Sequence, residues 1–547
     1  MTNGAISVGH NIYSTGAITL TGGTVTMTAS KDFATNTGLV MNGGTLDLGI
    51  YAAKINNATQ TAGGFSMTGS GTLKTTIGAS ATGALDLSTN AVTWTNAGQT
   101  LTIVPTVSGY SVKSGDKFLV VNQNAAGTTT TTGTISVSNS GLISWTATKA
   151  TGAVTDAYGA SSIGDKDIYL TASIANATSI AGVSSASAGA INALSTTGAP
   201  ATLASAVQSL SSSELPKAGD QLRPAANGGM AQAAQAVTGG VLTTIGNRSD
   251  AVRQAANGGT GINSGETLRG MGVWAEGFGG VGDQGKRQDI DGYSIATGGL
   301  AGGVDFAVTP ATRVGVAFGY ARSAVDGKGN NRQDRTSIDS YQGSLYATYT
   351  GSPWYVNGSA SVGLHQYNAT RYQSFTGFSD RATSDHNGYQ YTAAIDGGYP
   401  IAVAGAVLTP VVGAQYSYLT QDGYTESSSN GAGLRVNSQD HNSYRSMLGA
   451  KASKTFTLDG GEKLTPEFRA KWLHEFNAKA VDTISTFAGG GSSFTTTGVK
   501  PAAETFVVGI GATMVNKDDL SLVANYDAEL RDQFVGHKLS LNLRQEF

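Results

Sequence analysis

Leu464-Thr465-Pro466-Glu467-Phe468-Arg469-Ala470-Lys471-Trp472 puts Leu464, Phe468 and Trp472 on one side of an extended chain and Glu467, Arg469 and Lys471 on the other, since successive side chains of a strand point to opposite faces. The charged set belongs in an interior that faces water or other charges, and the apolar set belongs against lipid. The stretch 354–364 reads the same way, with apolar residues or glycine at even positions and polar or small residues at odd ones. Segments of this kind recur from Met271 to Phe547, each ended by a turn or loop, which is the strand pattern of a membrane barrel.

The connections add a second test, because such barrels alternate short periplasmic turns with longer external loops. Polar stretches at 282–292, 327–336, 373–387, 425–442 and 477–503 read as long loops. Between them, Thr309-Pro310-Ala311, Gly351-Ser352-Pro353, 401–405, 459–463 and 516–519 read as short turns. Only the connection near Asp532 is brief where a long one is due. Twelve antiparallel strands result. The last, 535–547, sets Val535, Leu539, Leu541, Leu543 and Phe547 against Gly536, Lys538, Ser540, Asn542 and Arg544, and ends on an aromatic ring.

Composition agrees and excludes other classes. The 547 residues include 76 Gly, 10 Pro and no Cys, with 13% charged and a net charge of -3. Without cysteine there are no disulfides, thiolate metal sites or cysteine nucleophiles. A near-neutral chain lacks the basic face that nucleic acid requires. No apolar run reaches about 18 residues, so any membrane crossing must use a closed barrel. The opening Met1-Thr2-Asn3-Gly4-Ala5 has neither the basic start nor the apolar core of a signal peptide, and the chain reads as a fragment or a truncated gene product.

The charge is uneven. Residues 1–200 hold 7 Lys, 7 Asp, no Arg and no Glu, and 57 charged residues fall in the remaining 347 positions. Sixteen of the 21 Tyr lie after Met271, as expected of aromatic girdles. Three regions follow: 1–175, 176–265 and 266–547. In the first, Gly16-Ala17-Ile18-Thr19-Leu20, Gly23-Thr24-Val25-Thr26-Met27, Gly44-Thr45-Leu46-Asp47-Leu48 and Gly71-Thr72-Leu73-Lys74 repeat a short strand after a glycine turn. Stacked, they form a β-solenoid with Ile18, Leu20, Leu46 and Leu48 inside; the irregular period leaves a β-sandwich of short strands open.

The second region is rich in Ala, Ser, Leu and Gln, and Ser211-Ser212-Ser213-Glu214 resembles a capped helix start. Within 229–256, Met230, Ala234, Val237, Val241, Ile245 and Val252 share one helical face. Gly239-Gly240 weakens that helix by roughly 1 kcal/mol per glycine. At about 1.5 Å per residue it extends roughly 40 Å, enough to cross an apolar band about 25 Å tall. Interior charges such as Glu467 and Asp527 are expected to pair with each other or with this helix, where Arg248, Asp250 and Arg253 are candidates to meet them.

Tyr526-Asp527-Ala528-Glu529-Leu530-Arg531-Asp532-Gln533-Phe534-Val535-Gly536-His537 resembles the closing motif of the autotransporters, the single-chain form of type V secretion. Val273-Trp274-Ala275-Glu276-Gly277-Phe278-Gly279-Gly280, Leu473-His474-Glu475-Phe476 and the linker from Ala193-Leu194 to Gln221-Leu222-Arg223-Pro224 are similar to the same family. A weaker likeness, in 114–121 and 167–170, is to the C-terminal end of a passenger. The resemblance implies a right-handed β-solenoid passenger that crosses the outer membrane with its own barrel's help, and a linker helix that plugs the pore through Met230, Val237, Val241, Ile245, Arg248 and Arg253. It also implies partners in the lipid bilayer, the barrel-assembly machinery and periplasmic chaperones, with an unidentified host or surface ligand for the passenger. The assembly signal falls on Leu539, Leu541, Leu543 and Phe547; Gln545 stands where the family shows an aromatic or apolar residue.

Catalysis finds little support. Of six His, only His10 precedes the linker, and the passenger has no Gly-x-Ser-x-Gly elbow, so a Ser-His-Asp hydrolase there is improbable. Gly277-Phe278-Gly279-Gly280-Val281-Gly282 spells a dinucleotide motif but precedes a polar loop where a phosphate-cradling helix would be needed. No calcium nonapeptide, metal site or cofactor motif occurs. Passenger release at paired asparagines in the pore helix is doubtful, because only Asn247 stands there, followed by Arg248. The reading is a surface-displayed adhesive or structural passenger; the alternative is an outer-membrane pore or barrel enzyme with an N-terminal extension.

Overall fold

The computed structural model describes residues 4–56, 64–87, 98–123, 133–160, 163–256, 271–459, 461–515 and 521–544. Short strands of the N-terminal region fall on three parallel sheets in turn. One stacks Ala5–Val8, Thr24–Met27, Thr45–Asp47, Gly71–Ile77, Thr100–Val107 and Thr134–Val137; a second runs from Ile12–Ser14 through Lys31–Thr35, Ala52–Asn56 and Ala84–Leu87 to Lys117–Gln123; a third is Ile18–Leu20, Gly38–Met41 and Gly64–Met67. As far as Ala84–Leu87 every third strand is a neighbour, and beyond it, among the described residues, every second one; the early rungs make a three-sided solenoid and set the sandwich aside. Val25, Leu46, Leu73 and Ile103 lie in register as one buried rung-to-rung column, flanked outside by Thr24, Thr45, Thr72 and Thr102. Alternation sorts the two columns, and stacking removes the apolar one from water.

The stack stops where pairing changes direction. Lys117–Gln123 pairs antiparallel with Ile168–Ile174, which pairs antiparallel with Ile143–Lys149. Over this end, Phe118 meets Tyr110, Trp145 and Tyr158 edge-on, with centroids 5.7 to 5.9 Å apart.

Among its described residues the linker holds four α-helices, α1 (Ser185–Ala193), α2 (Ala201–Gln208), α3 (Leu215–Leu222) and α4 (Gly229–Ala256). Just before α3, the Glu214 carboxylate accepts from Ser211 N at 3.1 Å and Ser211 Oγ at 2.7 Å; these bonds close a turn, and the N-cap itself, Glu214, makes no side-chain capping bond. Gln208, fully buried on α2, ties the linker to the solenoid: Val112 N donates to its Oε1 at 3.0 Å and its Nε2 donates to Val112 O at 2.8 Å.

The barrel strands are β1 (Met271–Gln284), β2 (Tyr293–Thr309), β3 (Thr312–Gly327), β4 (Arg335–Thr350), β5 (Tyr355–Phe375), β6 (Phe378–Gly398), β7 (Ala406–Gln421), β8 (Gln439–Ser453), β9 (Lys463–Glu475), β10 (Glu504–Val515), β11 (Ser521–Arg531) and β12 (Phe534–Arg544). Each pairs antiparallel with the next, and β12 returns to β1 with Phe534 opposite Gln284 and Leu541 opposite Gly277. The ring is closed. Val316, Phe318, Leu345, Val362, Phe468, Val508 and Leu539 are exposed on the outer wall while Arg469, Gln390 and Ser340 are buried inside, an inversion of the soluble pattern that only lipid contact explains. No helix among the described residues is long and apolar enough to cross a membrane.

Three expectations change. The stretch 373–387 is not a loop: β5 and β6 continue through it as a hairpin that turns at Thr376-Gly377. Above the membrane those strands no longer need an apolar face, so their alternation fades while the ladder persists. The loops at 425–442 and 477–503 are also partly ordered, because Tyr424–Thr425, Leu434–Val436, Asp482–Phe487 and Phe494–Thr497 form a small sheet. Third, the Tyr residues are not all girdle: Tyr320, Tyr341, Tyr389, Tyr416, Tyr444 and Tyr526 are exposed, but Tyr293, Tyr346, Tyr355 and Tyr367 are buried in the interior. The turn at 516–519 lies outside the described residues.

Leu46→Ala removes a side chain from the middle of the buried column and is expected to destabilise the solenoid by about 2–5 kcal/mol. Urea-dependent protease protection of the N-terminal region should shift to lower urea, while the barrel's heat-modifiable gel migration stays unchanged.

Candidate functional site: the occupied pore

The lumen is occupied by α4, which packs against β1 to β5 and leaves the opposite wall to be reached by long side chains. Ala233 sits with Tyr293, Ile295, Val325, Ile338 and Tyr367 near the long-loop end, and Met230 packs against this group. One level down, Val241 and Ile245 meet Trp274, Ala301, Ala317 and Tyr346. Val237 is also fully buried. Glycine makes this approach possible. A Cβ on Gly240 would lie 2.4 Å from the Phe278 ring, and one on Gly319 would lie 2.6 Å from Val241 Cγ2. Gly239, by contrast, has nothing within 4 Å, so the propensity cost expected for the pair is a cost at one position and a packing requirement at the other.

Directional contacts fix the helix further down. Arg248 donates to Asp305 through Nε at 2.7 Å and Nη2 at 2.9 Å, with side chains 4% and 1% exposed. Asp305 also accepts from Arg313 at 2.6 and 3.0 Å and from Tyr346 OH at 2.9 Å, and Trp274 Nε1 donates to that same Tyr346 oxygen at 2.8 Å. One carboxylate thus serves two guanidiniums and a phenol. Such a pair is costly to bury and still more costly to break from one side. Lower again, Asp250 accepts from Lys451 at 2.6 Å and pairs with Arg253, which donates to Thr348 Oγ1 at 3.0 Å and Asn357 Oδ1 at 2.8 Å and lies over the Tyr355 ring. Asn247 Nδ2 donates to Glu276 Oε1 at 2.7 Å.

Of the two kinds of partner expected for interior charges, other wall charges and the helix, Glu467 and Asp527 take the first. Among the described residues both meet Arg469 on the wall, which donates to Asp527 at 2.6 Å and to Glu467 at 3.3 Å. Lys471 faces the same lumen and makes no ion pair among the described residues. Asp305 is the residue that sequence reasoning missed. Its only signal was a lone acid on a strand with no other charged residue. Leu539 and Leu541 are exposed on the outer face of β12, while the Leu543 side chain and Phe547 lie outside the described residues.

On the side that α4 leaves free, a cavity of about 390 Å³ near the long loops is lined by Gln235, Arg445, Glu475 and Arg531 among others. Arg445 and Arg531 reach across to Gln235 and Gln232 of α4 at 2.7 and 2.8 Å. A hydroxyl–imidazole pair also occurs in the wall: Ser340 Oγ is 2.9 Å from His365 Nδ1, and His365 Nε2 is 3.0 Å from Gln390 Oε1. Both Ser340 and His365 are wholly buried, so no substrate can reach the hydroxyl.

Residues 273–527 match the family model described as the autotransporter β-domain. The C-terminal half of the chain is an autotransporter β-domain. Similar curated proteins include outer membrane protein B of Rickettsia prowazekii, 22% identical over 56% of this chain and 19% of that protein, and outer membrane protein A of Rickettsia rickettsii, 26% identical over 51% and 13%. Esterase EstA of Pseudomonas aeruginosa is 26% identical over 52% of the chain and 44% of its own length. The matched part therefore spans less than half of each relative. Among solved structures, the translocator domain of autotransporter NalP from Neisseria meningitidis is covered completely, over 59% of this chain, at 18% identity and a TM-score of 0.44. The autotransporter barrel resides in the outer membrane.

Asp305→Ala leaves Arg248 and Arg313 buried without their anion, and is expected to cost about 3–5 kcal/mol of helix seating. Planar-bilayer recordings of the full chain should show larger or more frequent openings, whereas Glu467→Ala, which loses a bond to Arg469 on the wall, should leave the trace unchanged. Gly239→Ala and Gly240→Ala should move the opening in opposite directions. The first gains helix propensity worth about 1 kcal/mol, and the second drives Phe278 from its slot.

Proposed function

We propose that the barrel carries the N-terminal region across the outer membrane, that α4 is the segment left in the lumen when transport ends, and that the solenoid stands on the cell surface as an adhesive or structural module without enzymatic activity. The observation that carries this reading is the direction of the chain through the barrel. Met230 lies beside Tyr293 and Val325, at the long-loop end of β2 and β3, whereas Arg253 meets Thr348, Asn357 and Tyr355 at the short-turn end of β4 and β5. Long loops face outward in this class of barrel. The chain therefore enters the lumen from outside and leaves it toward the periplasm, with everything before Gly229 on the external side.

The exposed Leu539 and Leu541 of β12 suit recognition by the barrel-assembly machinery, and delivery by periplasmic chaperones completes the route. For the solenoid, a surface of Thr, Ser and sparse Asp and Lys, and a single His, supports contact better than acid–base chemistry.

Intact cells expressing the chain behind a signal peptide provide the test, by surface proteolysis followed by gel migration with and without boiling. Loss of the region before α4, with a heat-modifiable core close to 271–547, is the expected result. An N-terminal region that stays protected in unbroken cells would place it in the periplasm and sink the transport reading.

A further inference from the structure

We propose that Arg371, on the external extension of β5, is a positioning residue that sets the depth of α4 in the pore by gripping the linker from outside. This rests on the reading of α4 as the retained pore segment. Arg371 is 5% exposed. Its Nε and Nη2 donate to Glu426 Oε1 and Oε2 at 2.7 and 2.8 Å, and its Nη1 donates to the backbone oxygens of Gln221 and Arg223 at 2.9 and 2.8 Å. Those carbonyls are at the C-terminal end of α3, where a helix presents unsatisfied acceptors and partial negative charge. One fork of the guanidinium is spent on a loop carboxylate and the remaining nitrogen on the linker backbone, a division of donors that a point charge cannot reproduce.

Neighbouring contacts hold the same few residues. Gln221 Oε1 accepts from Ser374 N at 2.8 Å, Gln221 Nε2 donates to Asn330 O at 2.8 Å, and Asn330 Nδ2 and Ser187 Oγ donate to Asp220 at 2.8 and 2.6 Å. Between Arg223 and the first residue of α4 lie only residues 224–228. Even that tether is pinned midway, because Val499 N donates to Ala226 O at 2.9 Å, and Asn227 Oδ1 accepts from Gly229 N at 3.0 Å. Five residues reach no further than about 3.3–3.6 Å each, and a slip of α4 by one turn of about 5.4 Å would have to tear one of these contacts.

Inside the pore, the upper half of α4 lacks a comparable restraint. Its seats are apolar contacts and glycine clearances, which are non-directional, with single hydrogen bonds from Arg531 to Gln232 and from Arg445 to Gln235 at the ends of long, half-buried side chains. Arg248 and Asp305, roughly 28 Å below Gly229 along the helix, supply the inner stop; Arg371 supplies the outer one.

The absence of cysteine from the chain allows a register test in the full-length protein in outer membranes. An ideal Cβ at Gly319 lies 3.7 Å from Val241 Cβ, within the separation of about 3.5–4.5 Å that a disulfide needs. Val241→Cys with Gly319→Cys should therefore crosslink on mild oxidation, and Val237→Cys or Ile245→Cys with Gly319→Cys, each with Val241→Ala to remove the Cγ2 that a Cβ at 319 would meet at 2.6 Å, should not, as read by mass spectrometry of the linked peptides. Adding Arg371→Ala is expected to lower the 241–319 link about tenfold, the scale of losing one charge-assisted hydrogen bond, and to raise one of the links a turn away. An undiminished 241–319 link in a heat-modifiable Arg371→Ala barrel overturns the proposal. Should that variant give no heat-modifiable barrel, Glu426→Gln, which removes the carboxylate that orients the fork, is read in the same way. A missing 241–319 link with Arg371 intact refutes the pore reading itself and this inference with it.

Discussion

Backbone amides and carbonyls cannot be left unpaired in hydrocarbon, and that single constraint organises the C-terminal half of the chain. An open sheet of twelve strands would present two unpaired edges to lipid; pairing β12 with β1 removes both. Everything else about the wall follows from the closure. Side chains must point either to lipid or into the lumen, so apolar residues go out and charges go in, and the charges that soluble proteins leave in water here find one another. Arg469 with Asp527 and Glu467, and Glu529 with Arg531 and Lys538, are the pairs that result.

A closed ring also encloses a space, and the lumen is filled eccentrically. Over β1 to β3 the inner wall is lined with Gly280, Gly299, Gly303 and Gly319, which lets aromatic rings lie flat and lets a helix come close. Close approach by itself chooses no depth, since an apolar stripe slides over a smooth wall with little change in buried area. Depth comes from contacts with direction, and these are few. The carboxylate of Asp305, shared among Arg248, Arg313 and Tyr346, is the strongest inside the wall. Its worth lies less in net stability than in the penalty for leaving it half-made.

Much of this was legible in the residues. Alternation along 464–472 and 354–364, the rhythm of long and short connections, and the helical face of 229–256 all depend on local geometry, which sequence spacing carries directly. The glycine turns before Thr24, Thr45 and Thr72 marked strands for the same reason. The three-sided arrangement did not show, because turns of unequal length blur a period that only stacking restores. The hairpin of β5 and β6 above the membrane was read as a loop because alternation vanishes where neither face meets lipid. The partners of Arg248 and Asp250 depended on the rotation of α4 against β1 to β5, a quantity that no local spacing contains. Arg371 gave no signal at all: an arginine in a polar stretch acquires meaning only when the carbonyls of a distant helix end arrive beside it.

The same reasoning explains why the solenoid, the linker and the barrel head form one packed body. A solenoid is open at its ends, and each end must be covered by something other than another turn. At the C-terminal end, the cover begins with the antiparallel strands 143–149 and 168–174. It continues through α1 to α3, whose Ile191, Leu203, Val207 and Leu215 join the same core, and it ends on Phe375, Phe378, Leu434 and Phe487 of the barrel's own hairpin and loops. Apolar contact of this extent pulls the base of the solenoid onto the barrel, and the buried ion pair of Arg371 with Glu426 adds a directional contact there. Hydrophobic burial supplies the attraction and charged hydrogen bonds supply the address, a division that recurs within the pore between the apolar seats of α4 and Asp305. In both places the address sits on the barrel, so the positions of α4 and of the solenoid's base are set by the rigid wall.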